Sequence, residues 1–255
     1  MAIADASNRD AETVLICGVE PEAFSRIDEL LGEFHPRFTY DRGTLEMYRV
    51  LHAVPPEAYR GFMEVLSEHH LRHTYDGWRL EMMTPRKDHE WVAETLGTMI
   101  RFMALSLGIP VQSVGSTTLS AGAEGRGLQP DKSYYVAREP DVRGSGTYRP
   151  GEDPPPDLVI EVEVTKPVVP RLPLYAQIGV PEIWHWKQED LRFLRLTGED
   201  QYEPTERSIA FPWVSPNDVT RLLARRHDMD ENAVVHDFVE LAQEAHRQWQ
   251  ANTKP

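Results

Sequence analysis

Two short segments carry acids inside apolar runs: Leu128-Gln-Pro-Asp-Lys-Ser-Tyr-Tyr-Val136 and Pro155-Pro-Asp-Leu-Val-Ile-Glu-Val-Glu-Val-Thr165. Both are rich in Val, Ile and Tyr and are entered through proline, which is strand chemistry. In the second, the two-residue period puts Asp157, Val159, Glu161 and Glu163 on one face. Neighbouring acids on one face of a buried strand are unfavourable unless something positive neutralises them. A divalent metal is the usual neutraliser. With Asp131 across from Glu161, three carboxylates converge where a hard cation binds. The chemistry that such a cluster supports is metal-assisted hydrolysis of phosphodiesters. Asp157 lies about 13 Å along an extended strand from Glu161, so it reads as the cap of a strand start or turn.

These acids need a scaffold, and the residues between Pro85 and the C-terminus describe one. Asp88 to Leu107 is a long helix with Val92, Leu96, Met99 and Met103 on one stripe. Glu90, Gly97 and Ala104 form a second line almost opposite, where small residues admit a close neighbour. Glu90 also sits in the first turn, where the helix dipole favours an acid. Gly108 and Pro110 stop the helix. Short strands are predicted around Val111–Val114 and Thr117–Leu119. The stretch from Ala137 to Pro156 is a loop dense in Pro and Gly, long enough to be functional or mobile. Leu172 to Gly179 reads as a helix. Glu182–Trp186 and Leu191–Leu196 read as a hairpin, and Gly198-Glu-Asp200 as a hairpin tip. Helices are predicted over Asn217–Arg225 and from Glu231 to near Gln248.

The N-terminal third repeats itself. Val19-Glu-Pro-Glu-Ala-Phe24 recurs as Val54-Pro-Pro-Glu-Ala-Tyr59, and the segment His35–Met47 recurs as His70–Met82 with eight of thirteen positions identical. Such identity marks a duplication. Each unit reads as a helix followed by a β-hairpin whose turn is supplied by Asp41-Arg-Gly43 or Asp76-Gly77. The whole chain is therefore an α/β (α+β) protein rather than a bundle or sandwich.

Composition narrows the function classes. Of 255 residues, 40% are hydrophobic, enough for a core, and no apolar run is long enough to span a membrane. Met1 to Asp10 is polar without the basic start of a signal peptide, so a cytoplasmic location is the default expectation. Lys and Arg number 27 against 41 Asp and Glu, a net charge of −14. That disfavours a broad electrostatic grip on nucleic acid without excluding a local cleft screened by metal ions. The single Cys17 rules out an internal disulfide and, within the run Val14–Cys17, reads as a small core residue. His69, His70 and His73 lack the partners of a closed zinc site and read as solvated or packing residues. Trp184 and Trp186 share a strand face and read as core.

In this order the segments resemble the Uma2 (DUF820) family, assigned to the PD-(D/E)XK nuclease superfamily. The matching stretches are Met82-Met-Thr-Pro85 with His89-Glu90, Gly115-Ser-Thr-Thr-Leu119, Leu128-Gln-Pro-Asp131, Pro155–Val162 and Tyr175–Trp184. The resemblance runs from the second repeat unit to the helix near Arg225. It implies a restriction-endonuclease-like mixed central sheet flanked by helices, here with the duplicated N-terminal helix–hairpin unit. The expected divisions are a repeat unit over 1–50, a nuclease-like core over 51–228 and a C-terminal helix over 229–255.

The resemblance also assigns roles. Glu90 is the acid of the first core helix, Asp131 that of the first strand and Glu161 that of the second. Such nucleases hold one or two Mg²⁺, or Mn²⁺, between these carboxylates. Glu163 stands where a simple motif would place its lysine, and the position to which the family moves that lysine is Arg171. Arginine stays charged and cannot act as a base, but it can clamp a phosphate through two N–H groups. Lys166 is a second candidate for that role, whereas Lys132 alternates to the opposite face.

The implied function is a metal-dependent endonuclease acting on DNA. The alternative is a catalytically impaired nuclease-fold module that binds nucleic acid or protein, its acids salt-bridged to Arg171 and Lys166. A hydrolase of a smaller phosphoester is a third reading. The duplicated hairpin at a sheet edge suggests a homodimer.

Overall fold

The computed structural model describes residues 13–31, 38–42, 44–67, 69, 71–83, 87–121, 126–146, 148–149, 152–164, 167 and 169–253. The first elements are β1 (Thr13–Cys17), α1 (Pro21–Leu31), β2 (Phe38–Asp41), β3 (Thr44–Tyr48), β4 (Val50–His52), α2 (Pro56–Val65), β5 (Arg72–Tyr75) and β6 (Arg79–Met83). Then come α3 (Lys87–Leu107), β7 (Gln112–Ser113), β8 (Leu119–Ala121), β9 (Arg126–Leu128), β10 (Lys132–Tyr135), α4 (Glu139–Val142) and β11 (Leu158–Glu163). The chain continues through α5 (Leu172–Ile178), β12 (Glu182–Lys187), β13 (Asp190–Leu196), β14 (Tyr202–Thr205), α6 (Pro216–Leu223), a 3-10 turn (Ala224–His227) and α7 (Glu231–Thr253).

Two compact units result. One holds β1 to β6 with α1 and α2, the stretch around β9 and the residues leading into α5; the other holds α3, β10, β11 and the chain from Tyr175 onward. The division falls after both repeats, not at residue 50. The physical reason is a shared core: Ile27, Leu31, Leu45 and Met47 of the first copy bury together with Phe62, Leu66, Leu80 and Met82 of the second. At the other end α7 belongs with α3, since Val234, Val235, Phe238 and Ala242 join the same cluster as Leu96, Met99 and Met103.

The duplication extends to individual bonds. The Tyr40 hydroxyl donates to the Val19 carbonyl at 2.8 Å, and the Tyr75 hydroxyl to the Val54 carbonyl at 2.6 Å. Phe24 stacks on Tyr40 with ring centroids 4.4 Å apart, and Tyr59 stacks on Tyr75 at 4.2 Å. Each copy also has one strand more than helix–hairpin: β1 pairs with β3 as β4 pairs with β6, giving the orders β1-β3-β2 and β4-β6-β5. These extra strands end at Gly18 (φ 77°) and Ala53 (φ 60°), equivalent positions that both turn through left-handed backbone. The second copy carries further pairing, with β9 added antiparallel beside β5.

Cys17 corrects the sequence reading, because it is exposed. On β1, Val14 and Ile16 point inward, so the two-residue alternation turns Leu15 and Cys17 out. The apolar run is a half-buried strand and not a core segment.

The second unit is built on a six-stranded sheet in the order β14-β13-β12-β11-β10-β7. Only β11 and β12 run parallel in it; the other pairs are antiparallel, as in a mixed sheet. Leu158, Ile160 and Val162 of β11, with Trp184 and Trp186 of β12, face the cluster formed with α3 and α7. Gly97 of α3 lets β10 approach: a Cβ there would lie 2.8 Å from the Tyr134 hydroxyl. Glu182 is buried at the start of β12 and accepts from Trp184 Nε1 and from the backbone N–H groups of Ile209 and Ala210. No helix among the described residues is long and apolar enough to cross a membrane.

Candidate active site

In the β10–β11 pair Lys132 lies opposite Ile160, and one further step of that antiparallel register sets Asp131 opposite Glu161. Cross-strand partners point to the same side of a sheet. Both acids are buried, at 2% and 5% exposure, which is unusual for carboxyl groups. The Val162 N–H, adjacent to Glu161, donates to Asp131 Oδ2 at 2.6 Å. The buried Tyr175 of α5 donates its hydroxyl to Glu161 Oε2 at 2.6 Å.

The first turn of α3 brings in His89, buried beside these strands. Its Nε2 lies 3.2 Å from Asp131 Oδ2 and its Nδ1 3.3 Å from Glu90 Oε1. Glu90 itself is exposed, and the imidazole of His89 links it to Asp131. His89 and Tyr175 were not singled out by sequence reasoning. Each lies inside a family motif, but residue type alone gives no sign of a contact between distant segments.

Glu163 has a different setting. The parallel register pairs Glu161 with His185 and Glu163 with Lys187. Lys187 Nζ lies 2.6 Å from Glu163 Oε1, and His185 Nε2 lies 3.2 Å from Oε2. Lys132 turns to the opposite face as expected, its Nζ 2.5 Å from Glu94. Asp157 behaves as the turn clamp expected of it, accepting from the N–H groups of Val136 and Arg138 at 2.8 and 2.9 Å.

Arg171 is buried in the first unit, where its guanidinium donates to the Gln129 carbonyl. Lys166 lies outside the described residues. His73 is a packing residue bonded to the Tyr59 hydroxyl at 2.9 Å, and burial lowers its pKa from 6.5 to about 4. His69 reaches the Gly18 carbonyl, and His70 lies outside the described residues.

A divalent ion fits the chemistry of the donors, since Asp131, Glu161 and Glu90 offer hard carboxylate oxygens of the kind Mg²⁺ and Mn²⁺ take. The three are not drawn into one tight cluster. Among the described residues, the trio of His, Asp and Glu ligand atoms within 4.8 Å of one another is His236, Asp237 and Glu240 on α7. Beyond Glu163, at the ends of β11 and β12 and the start of α3, lies a cavity of about 750 Å³.

A family model described as "Uma2: Putative restriction endonuclease" matches residues 62–223. Among solved structures, a "putative nuclease belonging to DUF820" from Anabaena variabilis ATCC 29413 is similar at 13% identity and a TM-score of 0.38, over 54% of this chain and 78% of that one. Among curated proteins there is no significant match. With that model spanning more than half of the sequence, and with the motif acids Asp131 and Glu161 facing each other across β10 and β11, the chain belongs to the Uma2 family.

Proposed function

We propose that this protein is a metal-dependent endonuclease that hydrolyses DNA phosphodiesters, working as a homodimer. One observation carries the reading: Asp131 and Glu161 are buried opposite each other on adjacent strands. Carboxylates that face each other across neighbouring strands offer the hard oxygen ligands that a divalent cation takes. Asp131 and Glu161 would hold Mg²⁺ or Mn²⁺, with Glu90 joining them. A bound ion of this kind supplies Lewis acidity toward the phosphate and lowers the pKa of a coordinated water.

The chain's own groups set the geometry. The Val162 N–H fixes one oxygen of Asp131, and the Tyr175 hydroxyl fixes one oxygen of Glu161. His89 links Asp131 to Glu90 and so ties the helix acid to the strand acid. Glu163 with Lys187 keeps an ammonium on the same sheet face. Arg171 and Lys166 are assigned to phosphate or water, Arg171 as a clamp because it cannot release its proton.

Supercoiled plasmid incubated with the protein and Mg²⁺ or Mn²⁺ is expected to be nicked, and Asp131→Asn to abolish nicking. Equal cleavage by that variant would remove the assigned site. Arginine in place of lysine favours a second reading, a catalytically impaired module. Under that reading the wild type does not cleave and Arg171→Lys gains cleavage.

A further inference from the structure

Four features meet at the cavity beyond Glu163. Trp91 of α3 is partly exposed on its wall, and Trp186 supplies apolar surface behind it. Arg226 lies over the Trp91 ring, its Cζ 5.8 Å from the centroid, and its Nη2 is held 2.5 Å from Glu189 Oε2. Arg226 Nη1 is buried and meets no hydrogen-bond acceptor among the described residues. Such a donor is unfavourable to maintain unless water or a ligand in the cavity supplies the acceptor.

The fourth feature is the turn that joins β12 to β13. Lys187 pairs with Asp190, so Gln188 and Glu189 form a two-residue hairpin turn, and both hold left-handed backbone at φ 52° and 62°. That geometry favours Asn-Gly, and other residues are strained there. Both side chains border the cavity. Residues held in sparsely populated backbone regions cluster at sites that bind ligands.

The wall also says what kind of ligand fits. Lys87 and Arg226 face Asp88, Glu163 and Glu189, so fixed charge nearly balances with a slight excess of acid. A bare phosphate gains little here. A neutral planar heterocycle gains a Trp face to stack on and a Gln amide able to match its hydrogen-bonding edge.

We propose that this cavity takes an unpaired nucleobase of a nucleic-acid strand, stacked against Trp91 and met at its edge by Gln188 and Arg226. The inference rests on the nuclease reading for its substrate class, since Glu163 is shared between the cavity wall and the acid-bearing face of β11. Stacking of unpaired bases on aromatic side chains tolerates sequence, because every base has a π-face.

The test is fluorescence anisotropy of a labelled single-stranded oligonucleotide with the full chain in EDTA, where cleavage plays no part. The single strand is expected to bind more tightly than the same sequence as a duplex. Trp91→Ala is expected to weaken binding roughly tenfold or more, with Trp91→Phe retaining most of it. Gln188→Gly is expected to raise the melting temperature by relieving the turn while weakening binding several-fold. A purely structural turn would give the first effect without the second. Unlabelled nucleoside monophosphates competing as well as the oligonucleotide would assign the cavity to free nucleotides and overturn the proposal. Equal affinity for duplex and single strand, or unchanged binding by both Trp91→Ala and Gln188→Gly, would also overturn it. Trp91-dependent binding by a wild type that never cleaves would leave this inference standing and remove the nuclease reading.

Discussion

His73 should make the protein lose stability in mild acid, by an amount that its surroundings set. Burial lowers its pKa from 6.5 to about 4, opposed by its bond to the Leu71 carbonyl and aided by the nearby Arg171. The folded state therefore stays neutral at His73 while the unfolded chain takes up a proton below pH 6.5. The unfolded state binds more protons throughout the window from about 6.5 down to about 4, so stability falls as pH falls across it. A shift of that size corresponds to about 3 kcal/mol in total, at a little over 1 kcal/mol per pH unit. His73→Gln removes the ionisation and keeps a polar group for the Tyr59 hydroxyl. Urea unfolding at several pH values between 4 and 7 measures the difference. Other carboxylates titrate in both proteins and cancel, so the wild type should show the steeper decline. Parallel stability profiles for the two proteins would refute the assignment of a neutral, desolvated imidazole.

Three further substitutions test the packing and the duplication. Ala53→Gly should stabilise by about 0.5–1 kcal/mol, because alanine at φ 60° is strained and glycine is not; chemical denaturation reads the gain. Gly18→Ala should lose a similar amount although a Cβ there would meet nothing within 4 Å, so an unchanged midpoint would mean that the φ of 77° carries no strain. Gly97→Ala should lower the melting temperature despite better helix propensity, since its Cβ would lie 2.8 Å from the hydroxyl of the buried Tyr134. Overpacking of that kind outweighs the roughly 1 kcal/mol that alanine gains over glycine in a helix.

Much of the fold is legible where period and punctuation agree. The long helix from Lys87, the hairpin of β12 and β13, and the C-terminal helix follow the apolar spacing of their own residues. The duplication was visible as identity between His35–Met47 and His70–Met82, but its extra strand was not. β4 is three residues long, and so short a run carries no period of its own; its pairing with β6 is decided by the fold. Asp157 and Lys132 were legible because each depends on alternation along a single strand. His89, Tyr175 and Lys187 were not, because their contacts join segments whose approach only the tertiary structure sets. The exposure of Cys17 is hidden for a related reason: an apolar run without alternation in residue type can still alternate in burial.

The charges on β11 show how far adjacency of acids can carry a metal argument. Read alone, the strand places Glu161 and Glu163 on one face with nothing to balance them. The parallel neighbour β12 uses the same alternation, putting His185 beside Glu161 and Lys187 beside Glu163, while Trp184 and Trp186 take the core side. The acid face of one strand thus lies against the basic face of the next. Lys187 and His185 both reach Glu163, at 2.6 and 3.2 Å. A lysine from the neighbouring strand is in this way held by Glu163, the position where the resemblance leads one to expect a lysine. Glu163 is therefore balanced within the sheet itself. The metal reading of this face narrows to Asp131 and Glu161, with Glu90 reached through His89.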